Sequence, residues 1–297
     1  MIVFAAYMTD VGPWSRVIVH HAREAFVSPD VVAREWRGLH FTHAPDFGRA
    51  VAEYDAFVDV LSRAGASVEA APLRRSLPDS APDLTLDAIY VRDASVMTPQ
   101  GAVLCQMGKP QRSHEPDVLR QVYIDARIPV LGRIEAPGCL EGGDATWLSP
   151  GLLAVGQGYR TNAEGIRQLR ALVGPSVEVI DVGLPHYRGP GDVFHLMSIL
   201  SPVDRDLAVV YSPLMPVPFR ERLLELGYRL VEVPDEEFDS MGANVFAAAP
   251  GRAVMVAGNP VTRARLEAAG AEVFEYDGTE ISLKGGGGPT CLTRPIP

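Results

Sequence analysis

Cys291 is the residue in this chain whose surroundings most directly indicate chemistry. It follows a run of four glycines, in the segment Gly285 to Thr293. Glycine lets the backbone turn sharply and come close to other groups, so the segment predicts a short hairpin that carries one thiol into a crowded place. A cysteine thiolate is a nucleophile, and we therefore expect Cys291 to attack an electrophilic carbon.

A cysteine nucleophile needs a partner that moves protons. His195 is the candidate among seven histidines, because it lies at the head of a predicted inner strand. Glu141 and Asp144 flank a glycine pair at the head of another predicted hairpin. Buried carboxylates are unfavourable unless they meet a cation or hydrogen-bond donors, so this pair indicates a positive ligand. A core histidine and a solvated Gly-Gly-Asp turn are the alternatives.

Further charged residues could bind the two ends of a substrate. Asp87 and Asp93 flank an apolar segment and are predicted to point to the same face of a strand. Arg112 and Arg160 could bind an anionic substrate end, because arginine binds carboxylates through two parallel hydrogen bonds. The alternatives are a surface ion pair with Arg92 for the aspartates and ordinary surface positions for the two arginines.

The candidate residues recur at a regular spacing that indicates the fold. Asp93, Asp144, His195, Asn244 and Cys291 are separated by steps of 51, 51, 49 and 47 residues. Each lies near the head of a predicted apolar hairpin, and the hairpins alternate with helices that end at a glycine and lead into a strand. A period of about 50 residues predicts stacked or radially arranged units, and five such units could close into a ring.

The elements that would position these side chains follow from apolar periodicity beyond about residue 85. The predicted hairpins are Ile89 to Gln106, Ala145 to Val155, Phe194 to Tyr211 and Asn244 to Ala257, with a last short one around Cys291. The predicted helices are Glu164 to Leu172, Pro218 to Leu226 and Thr262 to Ala269. A doubly wound sheet also alternates strands and helices and is the alternative fold. No Gly-x-Gly-x-x-Gly turn follows a predicted first strand, which argues against a dinucleotide site.

Composition restricts the class of protein. The chain has 297 residues, 47% of them hydrophobic and 22% charged, an ordinary globular balance. A formal net charge of -10 argues against a nucleic-acid partner and suits a small cationic substrate. No apolar run approaches the roughly 18 residues of a spanning helix, and the N-terminus lacks a basic lead-in, so we expect a cytoplasmic protein without a membrane partner. The three cysteines are predicted to be free thiols, and a homodimer is left open.

Together these residues resemble the guanidino-group modifying enzymes of pentein fold, most closely the dimethylarginine dimethylaminohydrolases. The matching segments run from Pro45-Asp46-Phe47 through Leu61 to Cys291, whereas residues 24 to 45, the expected lid, match weakly. The resemblance implies a five-bladed α/β propeller of ββαβ units with pseudo-fivefold symmetry, forming a single domain over residues 1–297. It implies no metal or organic cofactor.

The resemblance also implies a role for each candidate. Cys291 would be the nucleophile, His195 the general acid and base, and Glu141 the carboxylate that orients the histidine and faces the guanidinium. Asp93 would bind the guanidinium nitrogens, and Asp87 the α-amino group of the substrate. The remaining residues would bind the substrate carboxylate or support the site, and these are Arg112, Arg160, Asp144, Asn244 and the glycine run.

Departures from the family pattern bear on the choice of substrate. Arginine deiminases and amidinotransferases usually carry an aspartate two residues after the catalytic histidine, as a second clamp on the guanidinium, and this position is Met197 here. An alkylated guanidinium has fewer N–H donors, and an apolar neighbour suits it. Asp87, where deiminases more often have asparagine, favours the same substrate. Arg92 instead follows the deiminase pattern.

The sequence thus predicts hydrolysis of an N-methylated arginine to citrulline and methylamine or dimethylamine. The reaction would pass through a covalent thiouronium on Cys291, and the substrate would be a small cationic guanidino compound with an amino-acid end. The alternatives in the same family are arginine deimination, a dihydrolase reaction to ornithine, or amidine transfer. A more distant alternative is a catalytically silent pentein that acts as a binding protein.

Overall fold

The structure, a computed structural model, describes residues 9–12, 14, 16–71, 73, 83–191 and 193–296. Within these ranges the strands are β1 (Arg16–Val19), β2 (Val68–Ala70), β3 (Ser95–Thr98), β4 (Gly101–Leu104), β5 (Val130–Arg133), β6 (Ala145–Ser149), β7 (Leu152–Gln157), β8 (Glu178–Gly183), β9 (Leu200–Asp204), β10 (Leu207–Val210), β11 (Arg229–Glu232), β12 (Phe246–Ala249), β13 (Arg252–Val256), β14 (Glu272–Tyr276) and β15 (Arg294–Ile296). The helices are α1 (Ala22–Phe26), α2 (Pro29–Glu35), α3 (Phe47–Arg63), α4 (Glu115–Asp125), α5 (Ala163–Val173), α6 (Val217–Glu225), α7 (Asp235–Phe238) and α8 (Pro260–Ala268). None of the helices in these ranges has both the length and the apolar character needed to cross a membrane.

The described strands form five three-stranded sheets, each built on one pattern. In every sheet the middle strand is antiparallel to one neighbour and parallel to the other, and a helix connects the two parallel strands. Each sheet with its helix is therefore a ββαβ blade. The predicted five-bladed α/β propeller is confirmed, and the doubly wound alternative is wrong.

Four blades follow one another along the chain, and the fifth is assembled from both ends. Blades 1 to 4 are β3-β4-α4-β5, β6-β7-α5-β8, β9-β10-α6-β11 and β12-β13-α8-β14. Blade 5 takes β15 from the end of the described chain, which pairs antiparallel with β1, while β2 lies parallel to β1 after α3. The predicted hairpin around Cys291 is therefore wrong, because the strand that follows Cys291 pairs with β1, not with a neighbour in sequence.

The predicted helices of blades 2, 3 and 4 are confirmed to within two residues at each end, as α5, α6 and α8. The glycines expected to end helices have left-handed backbone angles. The φ angle is 101° at Gly65 after α3, 84° at Gly227 after α6 and 99° at Gly270 after α8. Such angles favour glycine and let the chain turn back into the parallel strand of each blade.

Short turns precede the first strands of blades 1, 2 and 3 and position the candidate residues. They are single 3₁₀ turns at Leu86–Ile89, Gly142–Asp144 and Leu196–Ser198. The strand predicted between Asp87 and Asp93 is therefore wrong. Side chains at such turns project from the ends of the blades and not from their faces, so the candidates from different blades can meet at one end of the propeller.

Hydrogen bonds join each blade to the next near this end. Blade 1 meets blade 2 through the Gly142 amide and the Asp93 carbonyl at 2.8 Å, and blade 2 meets blade 3 through the Leu196 amide and Asp144 Oδ1 at 2.9 Å. The remaining junctions are Ser201 Oγ to the Ala243 carbonyl at 2.7 Å, the Thr290 amide to Asn244 Oδ1 at 3.0 Å, and the Arg92 amide to the Cys291 carbonyl at 3.2 Å. We call these five contacts the inter-blade hydrogen bonds. They complete the ring and fix the candidates relative to one another.

Candidate active site

The candidate residues surround one cavity of about 240 Å³ at the end of the propeller where the turns meet. Seven of the nine predicted site residues line it, namely Asp87, Asp93, Arg112, Arg160, His195, Asn244 and Cys291. Glu141 and Asp144 are fully buried and stand behind this lining, in contact with residues that form it. The structure thus brings the predicted constellation together from five blades.

Glu141 is the centre of a charged network behind the cavity. Its Oε2 lies 2.9 Å from His195 Nε2, and Arg160 contacts both carboxylate oxygens, with Nε 3.0 Å from Oε1 and a terminal nitrogen 2.9 Å from Oε2. The amides of Gly108 and Lys109 also donate to Oε1. Burial raises the pKa of Glu141, but His195 and Arg160 outweigh it and hold the pKa well below its usual range. Glu141 is therefore a permanent anion that orients the imidazole.

His195 is surrounded by carboxylates. Burial lowers its pKa, but Asp144, Asp93 and Glu141 outweigh this effect and raise the pKa of His195 to about 9. Because that value lies above neutrality, the imidazole is protonated at neutral pH, and both ring nitrogens are then donors. A protonated imidazole held in this way can give a proton to a leaving group and later take one from water.

Asp93 faces the cavity with one oxygen still without a donor. Its Oδ2 accepts a hydrogen bond from Arg112 at 2.5 Å, whereas the buried Oδ1 has no hydrogen-bond donor among the described residues and lies 3.8 Å from His195 Nδ1. A buried carboxylate oxygen without a partner is costly, and a ligand with N–H groups would satisfy it. This position suits a guanidinium beside His195.

The Cys291 thiol lies at the edge of the same cavity and is only partly exposed. Asn244 Nδ2 is 3.5 Å from Sγ, and Thr290 Oγ1 is 3.8 Å from it. Burial raises the pKa of the thiol above its ordinary value and Asp93 adds to the rise, while the Thr290 and Asn244 contacts and Arg92 offset it only in part. A cation placed next to Sγ would lower this pKa, so a bound positive ligand would favour ionisation of the cysteine.

The glycines around the site are required by close approach. A Cβ at Gly143 would lie 2.5 Å from His195 Nδ1, and one at Gly287 would lie 2.4 Å from the Tyr90 ring. Both distances are shorter than any carbon contact allows, so only glycine lets the backbone pass directly beside the imidazole and beside Tyr90. The prediction that the glycine run brings the thiol into a crowded place agrees with this packing.

The two predicted carboxylate-binding arginines have strong internal partners. Arg112 donates to both oxygens of Glu115, to Asp93 and to the Tyr90 carbonyl, and it is nearly fully buried. Arg160 uses Nε and one terminal nitrogen on Glu141. Both side chains line the cavity, but their main contacts position carboxylates. Their binding of a substrate carboxylate stays a prediction.

Asp144 and Asn244 act in the structure as supports of their neighbours. Asp144 accepts the Leu196 amide at 2.9 Å, which fixes the turn that carries His195, and burial raises the pKa of Asp144 to about 6. Asn244 Oδ1 accepts hydrogen bonds from the Thr290 amide and hydroxyl, the residue before Cys291. Asp144 lies outside the described cavity lining, whereas Asn244 reaches both the cavity and the thiol.

The two positions that depart from the family pattern differ in whether they line the main cavity. Met197 is buried, lies two residues after His195 and lines the cavity. Arg92 is buried as well, but its guanidinium binds the Thr290 carbonyl at 2.9 Å and Asp10 Oδ1 at 3.1 Å. The surface ion pair considered for Arg92 is therefore wrong. Arg92 supports the segment that carries Cys291, whereas Met197 is the departure that lines the cavity.

Sequence reasoning missed a second group of residues around the cavity. Helix α2 and the segment after it place the Leu39 carbonyl against Lys109, whose Nζ is 2.8 Å from that oxygen and 2.6 Å from Asp87 Oδ2. An aromatic wall of the cavity is formed by Tyr187, Phe194 and Phe238. The ring centroid of Tyr187 lies 5.9 Å from that of Phe194 and 5.9 Å from that of Phe238. Most of these residues lie outside the predicted hairpins and helices, and Phe194, at the head of one hairpin, carries no polar group that would mark it as a site residue.

Asp93, Glu141 and His195 also offer three ligand atoms within 4.8 Å of one another, a grouping that could hold a metal ion. However, Arg160 is 2.9 Å from Glu141 and Arg112 is 2.5 Å from Asp93, so two cations already compensate these carboxylates. A divalent ion would be repelled by both guanidinium groups. The donor set therefore fits proton transfer better than metal binding.

The fold is shared with solved structures of known activity. Dimethylarginine dimethylaminohydrolase from Pseudomonas aeruginosa, as a mutant complexed with citrulline, superposes with a TM-score of 0.75 at 23% identity, over 96% of this chain and 100% of that one. The N-terminal domain of ArgZ, a cyanobacterial arginine dihydrolase, has a TM-score of 0.78 at 19% identity, over 95% of this chain and 97% of that one. These likenesses place the chain in the pentein class of folds.

Comparison of sequences identifies the family within that class. The arginine deiminase family model matches residues 85–225 and 216–297, and the chain belongs to that family. Among curated relatives, the Pseudomonas aeruginosa dimethylarginine dimethylaminohydrolase is 27% identical over 86% of this chain and 92% of its own length. The arginine deiminase of Mycobacterium marinum is 31% identical over 70% of this chain, but the match spans only 60% of that protein. Both activities therefore have comparably close relatives.

Proposed function

We propose that this enzyme hydrolyses the guanidinium carbon–nitrogen bond of an N-methylated arginine to give citrulline and methylamine or dimethylamine. Met197 is the observation that supports this choice within the family. Its thioether side chain is buried in the cavity lining two residues after His195, where a carboxylate would otherwise bind a second pair of N–H groups. An alkylated nitrogen has methyl groups in place of those donors, and it packs favourably against an apolar side chain.

The first half of the reaction forms a covalent intermediate. The guanidinium lies beside Asp93, and its positive charge lets the Cys291 thiol release its proton to solvent. Sγ adds to the guanidinium carbon and forms a C–S bond. The bond to the alkylated nitrogen then breaks as His195 donates its proton to that nitrogen. The amine leaves neutral, and a thiouronium remains attached to Cys291.

The second half returns the enzyme to its starting state. His195, now neutral, removes a proton from water as the water oxygen adds to the thiouronium carbon. The C–S bond breaks, citrulline is released, and the regenerated thiolate takes back a proton from solvent. The second proton of this water is taken up by the released amine in solution, so charge and atoms balance. Glu141 keeps the imidazole oriented through both proton transfers.

Deimination of unmodified arginine is the second candidate, because arginine deiminases of comparable similarity are among the relatives. The two reactions share every step except the identity of the leaving amine. The same constellation disfavours a silent binding protein, since such a protein has no use for a thiol beside an oriented histidine. A cytoplasmic location and a homodimer stay predictions, as do the absence of nucleic-acid and membrane partners and the absence of a cofactor.

Product identification tests the proposal. Purified enzyme is incubated separately with arginine, monomethylarginine and asymmetric dimethylarginine, and both products of each reaction are identified by mass spectrometry. We expect citrulline and dimethylamine in equal amounts from dimethylarginine, with a kcat/KM above that for arginine. Ammonia released from arginine at the higher kcat/KM would overturn the proposal in favour of deimination.

A substitution at the proposed specificity position sharpens this test. Met197→Asp restores a carboxylate beside the guanidinium, so we expect the ratio of kcat/KM for arginine to that for dimethylarginine to rise by about tenfold or more. Met197→Leu keeps an apolar side chain of similar volume and should leave the ratio nearly unchanged. If both variants change kcat/KM for the two substrates by the same factor, Met197 does not discriminate between alkylated and unmodified guanidinium groups.

A further inference from the structure

Lys109 places an ammonium group inside the cavity. Nζ donates to the Leu39 carbonyl at 2.8 Å and forms an ion pair with Asp87 Oδ2 at 2.6 Å, and the side chain is largely buried. The ion pair is poorly aligned, so Asp87 Oδ2 has no hydrogen bond among the described residues. Asp87 and the Leu39 carbonyl thus form a site for an ammonium group, filled here by the protein itself.

The same site is the one expected to receive the α-amino group of the substrate, through Asp87. Two ammonium groups cannot share it, because like charges at contact distance repel each other. A substrate with an α-ammonium must therefore displace Lys109. The lysine side chain is flexible and carries a strongly hydrated point charge, so it can move once another cation takes its place.

The displaced lysine would meet a suitable anion. In a free amino acid the carboxylate is attached to the same carbon as the ammonium, so it arrives next to the position that Lys109 leaves. The Lys109 amide stays anchored to Glu141 Oε1 at 3.1 Å, which keeps the residue at the cavity wall. Arg112 is already paired with Glu115 and Asp93, so Lys109 is a cation better able to reorient.

We propose that Lys109 is a specificity-determining residue that selects guanidino substrates with a free α-amino-acid end. In the empty site its ammonium binds Asp87 and the Leu39 carbonyl. On binding, the substrate α-ammonium takes that position and Lys109 pairs with the α-carboxylate. This inference rests on the proposed function, which puts the guanidinium end next to Cys291, and on the expectation that Asp87 receives the α-amino group. It names the other end of the substrate as a zwitterion.

The exchange discriminates between close analogues. A decarboxylated amine places its ammonium at Asp87 but offers Lys109 no anion, so a displaced cation is left beside another cation. A deaminated acid offers an anion but cannot displace Lys109 from Asp87. A peptide-bonded arginine lacks both charges. Only the free amino acid keeps every charge in this part of the cavity paired.

The composition of the chain makes the exchange measurable. Of the 27 basic residues, Lys109 and Lys284 are the only lysines, and both line the cavity. Lys284 forms its own ion pair with Glu280 and donates to the Ala44 carbonyl, away from Asp87. Enzyme grown with lysine labelled at Cε therefore gives two side-chain NMR signals, and Lys284→Met assigns them.

The experiment uses labelled enzyme carrying Cys291→Ser, so that ligands bind without turnover. L-arginine and its decarboxylated amine, agmatine, are each titrated while NMR and calorimetry follow the lysines and the affinity. We expect arginine to shift the Lys109 signal and to bind at least about tenfold more tightly than agmatine. Lys109→Met should reduce this preference by about tenfold or more, whereas Lys284→Met should preserve it. Lys109→Met keeps the backbone amide that donates to Glu141.

Two results would overturn the inference. One is a ratio of arginine to agmatine affinities that Lys109→Met leaves unchanged, and the other is a deaminated acid that binds wild-type enzyme as tightly as the amino acid. Failure of the proposed function has a different signature. If methylated arginines are not turned over while the affinity ratio still depends on Lys109, the leaving group is wrong but the recognition of the zwitterion stands.

Discussion

The Cys291 thiol and the His195 imidazole have different surroundings, and these decide which of them is charged before substrate binds. Buried carboxylates hold the imidazole protonated, with a pKa of about 9. Burial and Asp93 raise the pKa of the thiol above its ordinary value. The free enzyme therefore carries an imidazolium and a neutral thiol at neutral pH. In the proposed reaction, a cationic substrate promotes ionisation of the thiol, which limits reaction with other electrophiles.

This difference predicts how alkylation of Cys291 varies with pH. With a neutral haloacetamide, the rate should keep rising through pH 9, because the thiol loses its proton only above its ordinary pKa of 9.0. A cationic haloacetamidine of the same size brings the missing positive charge, so its rate should rise at lower pH. Peptide mapping assigns the modified cysteine. A haloacetamide rate that levels off near neutrality would show that the free enzyme already holds a thiolate.

The chemistry-bearing residue types could be predicted from sequence, but their partners could not. Cys291, His195 and Glu141 could be chosen as candidates from sequence, because nucleophilic catalysis needs a thiol, a proton carrier and an orienting anion. Arg112 was expected to bind substrate, yet its guanidinium is used by Glu115 and Asp93. Lys109 was overlooked beside it. Whether Arg112 or Lys109 reaches a given carboxylate depends on three-dimensional packing, which residue spacing does not predict.

At the scale of elements, short turns matter more than strands for the site. The regular alternation of apolar residues predicted hairpins, and it placed the strands of blades 1 to 4 well. It could not show that Asp87 lies in a 3₁₀ turn. Nor could it show that the strand after Cys291 pairs with β1 near the other end of the chain. Such pairing is long-range, and a period counted along the sequence carries no information about it.

The glycine run gives an element-scale prediction. In Gly287→Ala the new Cβ would overlap the buried Tyr90 ring, whose hydroxyl is held by the Ile281 carbonyl, so the segment that carries Cys291 must shift. We expect kcat to fall by about tenfold or more and the free energy of unfolding to fall by about 1 to 3 kcal/mol. Steady-state kinetics and chemical denaturation measure both.

A matched control is available in the same molecule. Gly183 ends β8, has open space around it and lacks a left-handed φ angle, so Gly183→Ala should change neither quantity. If Gly287→Ala is as active and as stable as Gly183→Ala, the close approach of the glycine run to Tyr90 does not position the nucleophile.

At the scale of the whole molecule, closure of the propeller is part of the active site. Cys291 lies in the segment that precedes β15, and β15 holds that segment by pairing with β1. Arg294 reinforces the junction by donating to the carbonyls of Arg92 and Ser95 in blade 1. The inter-blade hydrogen bonds then relate Cys291 to Asp93, Glu141 and His195. That residues 1–297 form one domain stays a prediction.

Loss of β15, the strand that closes the propeller, should therefore affect kcat more than loss of one core side chain does. Ile296→Ala removes buried apolar atoms but leaves the pairing of β15 with β1, so we expect about 2 to 4 kcal/mol of lost stability and a kcat near that of wild type. Removal of residues 294–297 deletes the strand, and we expect activity to be lost along with stability. Thermal unfolding and kcat below the unfolding transition separate the two effects. A truncated enzyme with full kcat would show that blade 5 does not position Cys291.

The central claim is that Cys291 forms a covalent thiouronium from which the alkylated amine has already left. Acid quenching during turnover of asymmetric dimethylarginine, followed by intact mass measurement and peptide mapping, tests it most directly. We predict an adduct on Cys291 that lacks the dimethylamino group, so that arginine and dimethylarginine give the same adduct mass. Turnover that persists in Cys291→Ser, or an adduct that retains dimethylamine, would contradict the account.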